Sequence, residues 1–206
     1  MSIITIHNKT IQLKIVYYGP GDSGKTSSIK YVGKTYHGDS QSDIISLKTK
    51  EGHTLFFDFL PIDMKTDDGY RIRTLLYTIP GHVRYDVTRK LVLNGVDGIV
   101  FVADSRAGCR QDNKTSLEQL RSNLEEQKRD LADIPLVMQY NKSDLSDRGI
   151  PLLSFETMEN DLNKTIKAPT YKTSTVSGDN ILAVFREITA MSLAKSHKGL
   201  VEFDDR

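Results

Sequence analysis

The sequence predicts a single α/β domain spanning residues 1–206, with a mostly parallel sheet flanked by helices on both faces. Three observations carry that expectation. Apolar residues alternate along the chain between strand-like β-branched runs and helix-like spacing. The runs GIVFVA at 98–103 and LVMQY at 136–140 are apolar almost throughout, as in strands covered on both faces. The chain has 206 residues, 38% hydrophobic and 27% charged, which is enough for one substantial core.

The elements follow in order. Residues 2–7 and 12–18 are β-branched runs separated by the turn-forming Asn8-Lys9, so a hairpin adds an extra N-terminal strand within residues 1–9. Residues 19–26 are a glycine-punctuated loop and 27–36 a short helix. Residues 37–53 are polar apart from Ile44-Ile45 and read as a mobile loop. Strands at 55–63 and 70–79 flank 64–69, where Asp67-Asp68-Gly69 favours a tight turn and antiparallel pairing. A helix at 83–93 and a buried strand at 98–103 come next. Leu117, Leu120, Leu124 and Leu131 recur at helical spacing in a charged segment, predicting an amphipathic helix of about five turns. The rest reads as a strand at 136–140, a helix at 155–162, a short strand at 169–173 and a closing helix at 181–194. Residues 197–206 are expected to be a flexible tail.

Composition narrows the function. Lys and Arg total 28 against 27 Asp and Glu, a net charge of +1, so nucleic acid and anionic membranes are not expected as main partners. Cys109 is the only cysteine, which leaves no disulfide framework and no cysteine cluster for zinc. A cytoplasmic protein is expected. The start MSIITIHNKT lacks a signal-peptide pattern, no stretch is long and apolar enough for a membrane span, and neither Ser2 nor the end VEFDDR offers a lipid anchor. His7, His37 and His197 show no metal-ligand spacing.

The chemistry is concentrated in two motifs. Gly19-Pro20-Gly21-Asp22-Ser23-Gly24-Lys25-Thr26 fits GxxxxGK[ST] between a strand and a helix that opens at Ser27. Glycines let backbone N–H groups curl round phosphate oxygens, and the helix N-terminus adds partial positive charge. Lys25 would reach the β- and γ-phosphates, and the Thr26 hydroxyl would ligate Mg²⁺. The second motif is Asn141-Lys142-Ser143-Asp144, directly after the buried strand. The Asp144 carboxylate can accept from guanine N1–H and the exocyclic amine, a pair of donors adenine does not offer. Asn141 can bond the other edge of the base, and the Lys142 stem can lie over its plane. Alone, this tetrapeptide is common on surfaces; joined to the first motif, it is informative.

Together the motifs resemble the guanine-nucleotide signature of the Ras-like small GTPases. The resemblance implies a Ras-like P-loop GTPase domain, with Ser174 and Thr175 in the last base-binding loop and a backbone N–H near Thr175 facing guanine O6. Thr78-Ile79-Pro80-Gly81-His82 stands where the superfamily places DxxGQ, with Gly81 sensing the γ-phosphate. Four features narrow the likeness: threonine in place of that aspartate, TLFFDFLP at 54–61, RKLVLNGVDGIVFVADS at 89–105, and QYNKSDL. With these, roughly residues 10–190 are similar to the bacterial mutual gliding-motility GTPases.

The resemblance makes Thr54 the switch threonine whose hydroxyl closes on Mg²⁺ when a γ-phosphate is present; Thr49 competes, and Thr54 as a plain strand-opening residue is the other reading. Asp58, between Phe57 and Phe59, is a carboxylate in an apolar strand that needs a partner. It serves the metal site through water, or it bridges to Arg71 or Arg73. Two positions depart from the family: His82 replaces its glutamine and His53 its intrinsic arginine. A histidine can still orient water, but at 53 it lacks the guanidinium fork and carries only fractional charge. Arginine fingers contribute about 10³–10⁵ in turnover.

The expected function is a GTP/GDP switch with slow, Mg²⁺-dependent hydrolysis, using Lys25, Thr54 and His82, that regulates bacterial polarity or motility. The implied partners are a Roadblock-type homodimer, MglB, as activator, and polarity or motility effectors. The protein alone is expected to be a monomer, concentrated at a cell pole. The competing class is a guanine-nucleotide-gated binding module with little hydrolysis. A phosphate-loop kinase is disfavoured because no acceptor site is apparent.

Overall fold

The computed structural model describes residues 3–5, 10–37, 45–48, 54–65, 69–79 and 86–204. In chain order the elements are β1 (Ile3–Thr5), β2 (Thr10–Tyr18), α1 (Lys25–His37), β3 (Ile45–Lys48), β4 (Thr54–Lys65), β5 (Arg71–Thr78) and α2 (Asp86–Leu93). They continue as β6 (Gly98–Asp104), α3 (Arg110–Glu125), β7 (Leu136–Asn141), α4 (Phe155–Met158), β8 (Thr170–Lys172) and α5 (Ile181–Asp204). The eight strands form one sheet in the order β3-β4-β5-β2-β6-β7-β8, with β1 paired to β2. From β5 to β8 all pairings along this order are parallel, whereas β3–β4, β4–β5 and β1–β2 are antiparallel. The α/β, mostly parallel Ras-like P-loop architecture is therefore present.

Alternation along the central strands sends neighbouring side chains into two cores. Tyr18 and Phe101 pack with Leu120, Leu124 and Met138 on the α3 side. Tyr17, Val102 and Val137 pack with Ile29, Phe185 and Ile188 on the α1–α5 side. All seven residues of β6 are buried, as its unbroken apolar run requires. Where α5 crosses the start of β6, Gly98 leaves room: a Cβ there would lie 2.3 Å from Ser192 Oγ and 3.0 Å from Ile188.

Several elements differ from expectation. The stretch read as a loop over 37–53 contains β3, whose Ile45 pairs with Phe59 of β4. β4 itself opens at Thr54 rather than after it. The helix expected to reach Leu131 stops at Glu125. Lys128 takes a left-handed φ of 58°, and Leu131 falls in a separate one-turn 3₁₀ helix capped by the Asp130 carboxylate. α4 is short and passes into a π-turn over Glu159–Asn163, where the Asn163 side chain donates to the Ala168 carbonyl. α5 continues through Asp204, over most of the stretch expected to be a loose tail. Among the described residues no helix is long and apolar enough to cross a membrane.

Candidate functional site

The parallel strands β2, β6, β7 and β8 deliver their following loops to one edge of the sheet, the place where open α/β sheets bind ligands. After β2 the chain turns through Gly19, with φ +148°, where a Cβ would sit 2.1 Å from the Val102 carbonyl oxygen. At Gly24, with φ +105°, a Cβ would meet the Asn141 amide nitrogen at 2.1 Å. Both positions therefore need glycine. Asp22 and Ser27 are exposed, Gly21 is half-buried and Ser23 is fully buried.

Lys25 opens α1 with its side chain buried. Its ammonium donates to the Gly19 carbonyl at 3.0 Å and to the Pro20 carbonyl at 2.6 Å, so it lies folded back on its own loop. Burial brings its pKa down to about 7, Arg89 adds repulsion, and Asp22 and Asp58 partly oppose the shift.

Asn141 ties three loops together. Its side-chain N–H₂ donates to the Ser23 carbonyl at 2.8 Å. Its Oδ1 accepts from Thr173 Oγ1 and from the Thr175 N–H, both at 3.2 Å. Ser174 is buried, and its hydroxyl accepts from the Val176 and Ser177 amides, which shapes that loop. Lys142 has a left-handed φ of 70° and donates to Asp104 Oδ2 at 2.7 Å. Asp144 is half-buried in the first turn of the 3₁₀ segment that follows. The phosphate-loop and NKSD motifs are thus in direct contact.

Asp58 lies opposite Thr78 in the β4–β5 register and is fully buried. Its Oδ2 accepts from Thr26 Oγ1 at 2.5 Å and from Thr78 Oγ1 at 2.7 Å. The alternative bridge to Arg71 or Arg73 does not match this register, which sets Arg71 against Lys65 and Arg73 against Asp63. Arg73 and Asp63 form an ion pair at 3.5 Å. Thr54 sits at the start of β4 opposite Lys48. Thr49, His53, Gly81 and His82 lie outside the described residues.

Three participants were not found by sequence reading. Asp104, at the end of β6, takes both Lys142 and a two-pronged contact from Arg106. Burial disfavours its charge, but hydrogen bonds from Arg106 and Lys142 outweigh that and hold its carboxyl below the usual range. A carboxylate closing an all-apolar strand was the available signal. Arg89 is buried on α2, donates to Gln119 at 2.7 Å and contributes to the field at Lys25. Gln139 of β7 donates to Ser28 Oγ at 2.8 Å, beneath the phosphate loop.

The residues present fit a phosphate ester and a hard cation. The two glycines leave space that a side chain would fill, and a buried ammonium stands at the loop's centre. The Thr26 hydroxyl and Asp58 carboxylate bring together oxygen donors of the kind Mg²⁺ takes. Among the described residues no group of three or more His, Cys, Asp or Glu could hold a metal by itself. A cation here would therefore need oxygen atoms from the ligand or water.

No family model matches the chain. A curated protein does: over 199 residues the chain is 42% identical to the mutual gliding-motility protein MglA of Myxococcus xanthus (strain DK1622), covering 97% of this chain and 100% of that protein.

Proposed function

The chain belongs to the MglA family of Ras-like small GTPases, and from that premise we propose that it is a GTP/GDP switch that hydrolyses GTP slowly and regulates bacterial polarity or motility. The observation that carries the reading is Asn141, which bonds both the Ser23 carbonyl of the phosphate loop and the Thr175 amide. One residue thereby joins the groups suited to phosphate with those suited to guanine.

In this reading Asp144 accepts from both guanine donors, a backbone N–H near Thr175 faces O6, and the Lys142 stem covers the ring. Lys25 leaves the Gly19 and Pro20 carbonyls for the β- and γ-phosphate oxygens, and the N–H groups from Gly21 to Ser27 line the cradle. Thr26 would hold Mg²⁺, with Asp58 supporting it through water, and the bound ion would neutralise charge on the phosphate oxygens. Thr54 closes on this site, with Gly81, only when the γ-phosphate is present. His82 orients the attacking water through a neutral ring nitrogen, and His53 occupies the place of an arginine. A Roadblock-type MglB homodimer is the activator, and polarity or motility effectors read the switch at a cell pole.

Single-turnover phosphate release, with and without MglB, tests the reading. The parent is expected to release phosphate slowly and MglB to accelerate it. His82→Ala should nearly abolish release while leaving GTP affinity almost unchanged, because the lost contact exists only near the transition state. His53→Arg should raise turnover by about tenfold or more. Tight GTP binding with no hydrolysis in either condition would instead make the protein a nucleotide-gated binding module.

A further inference from the structure

On β7, Gln139 and Asn141 point to the same side of the sheet as Val137, toward α1. Asn141 holds the Ser23 carbonyl. Gln139 reaches the next carbonyl through one intermediary: its Nε2 donates to Ser28 Oγ at 2.8 Å, and Ser28 Oγ donates to the Gly24 carbonyl at 3.0 Å. Gln139 and Ser28 are fully buried. The orientation of the amide follows from counting protons. The single hydroxyl proton of Ser28 is spent on Gly24, so its oxygen must accept, and only the nitrogen end of Gln139 can donate to it. The other end, Oε1, is buried without a hydrogen-bond partner among the described residues.

Peptide planarity gives these links a direction. In a trans peptide the C=O and the following N–H point opposite ways. Holding the Ser23 carbonyl toward β7 therefore turns the Gly24 N–H the other way, into the loop. The Gly24 carbonyl, which also accepts from the Ser28 N–H at 2.9 Å, runs along α1 and is steadied there by the Ser28 hydroxyl. Asn141 belongs to the recognised motif, whereas Gln139 lies outside it.

We propose that Gln139 is a positioning residue that couples the base-recognition strand to the phosphate loop through Ser28, so that loosening one loosens the other. The inference rests on the guanine-nucleotide reading of the site. Its carrier is a buried chain of hydrogen bonds from β7 to the first turn of α1.

The test compares release of a fluorescent GDP from the parent, Gln139→Met, Ser28→Ala and the double variant, alongside melting of each protein without nucleotide. Each single variant should release GDP roughly threefold to tenfold faster, the worth of one hydrogen bond. The double variant should release it no faster than the faster single, since both break one link. Gln139→Met should melt at or above the parental temperature, because a methionine of similar shape removes an unmatched buried carbonyl. Ser28→Ala strands the amide and should melt lower, so release and stability move independently. Parental release rates in both singles, or additive effects in the double, overturn the coupling. So does a fall in melting temperature with unchanged release. A parent that fails to hold GDP overturns the guanine reading itself.

Discussion

Lys25 meets two opposing demands at one atom: it is buried, with its pKa brought down to about 7, yet its ammonium is the group suited to phosphate. Unfolded, the same lysine keeps its proton to the ordinary 10.5. Between those values the unfolded chain binds more protons, so this residue's contribution makes the empty fold more stable as pH rises from about 7 toward 10.5. Nucleotide binding has the opposite sign. Phosphate favours the ammonium, so binding at pH 8 should take up a proton, and GDP affinity should fall as pH rises above about 7. Calorimetry at pH 8 in two buffers of different ionisation enthalpy checks this; a binding enthalpy independent of buffer would sink it. The motif lysine was legible because GxxxxGKT is a local pattern. Its retreat onto Gly19 and Pro20 was not, because that depends on what else fills the loop. Asp104 was missed for a related reason: only the β6–β7 register, which sets it beside Asn141, gives it a role.

β4 shows what a strand's own residues disclose and what they withhold. Its β-branched and aromatic run and the turn before β5 were readable as an antiparallel pair. The identity of Asp58's partners was not, because both are distant in sequence: Thr78 meets it through the β4–β5 register and Thr26 reaches it from the first turn of α1. β3 was hidden because ISLK is too short to stand out, and its pairing with β4 is irregular between Ser46 and Lys48. Side chains repeat every two residues, so a two-residue slip of β4 against β5 would set Phe56 or Leu60 where Asp58 faces Thr78. Neither can accept from Thr26 or Thr78. The strand is thus expected to hold different arrangements with GDP and with a GTP analogue. Hydrogen exchange over residues 40–65 should differ between the two states, and identical protection would leave β4 and its flanks with no switching role.

Across the whole molecule, the fold class was legible from alternating apolar periods, but the strand order was not. Placing β2 between β5 and β6 depends on contacts far apart in sequence, and only then do loops from four strands converge on one edge. The opposite end of β6 carries a packing constraint with no part in that edge. Gly98→Val would drive a side chain into Ser192 and Ile188 of α5, and overpacking of this kind costs about 1–3 kcal/mol. For a chain of this size each kcal/mol lowers Tm by about 2–4 °C, so thermal melting should shift by several degrees while the nucleotide edge keeps its geometry. A shift under about one degree would mean that α5 gives way freely. The folded-back ammonium of Lys25 also bears on how affinity is set for the molecule as a whole. The carbonyls of Gly19 and Pro20 act as a tethered competitor for the group that phosphate needs, and dilution never removes a competitor on the same chain. The affinity measured is then the intrinsic one reduced by the fraction of molecules whose lysine is free. Two such proteins with the same phosphate contacts can therefore differ in affinity solely by how firmly each loop holds its own lysine.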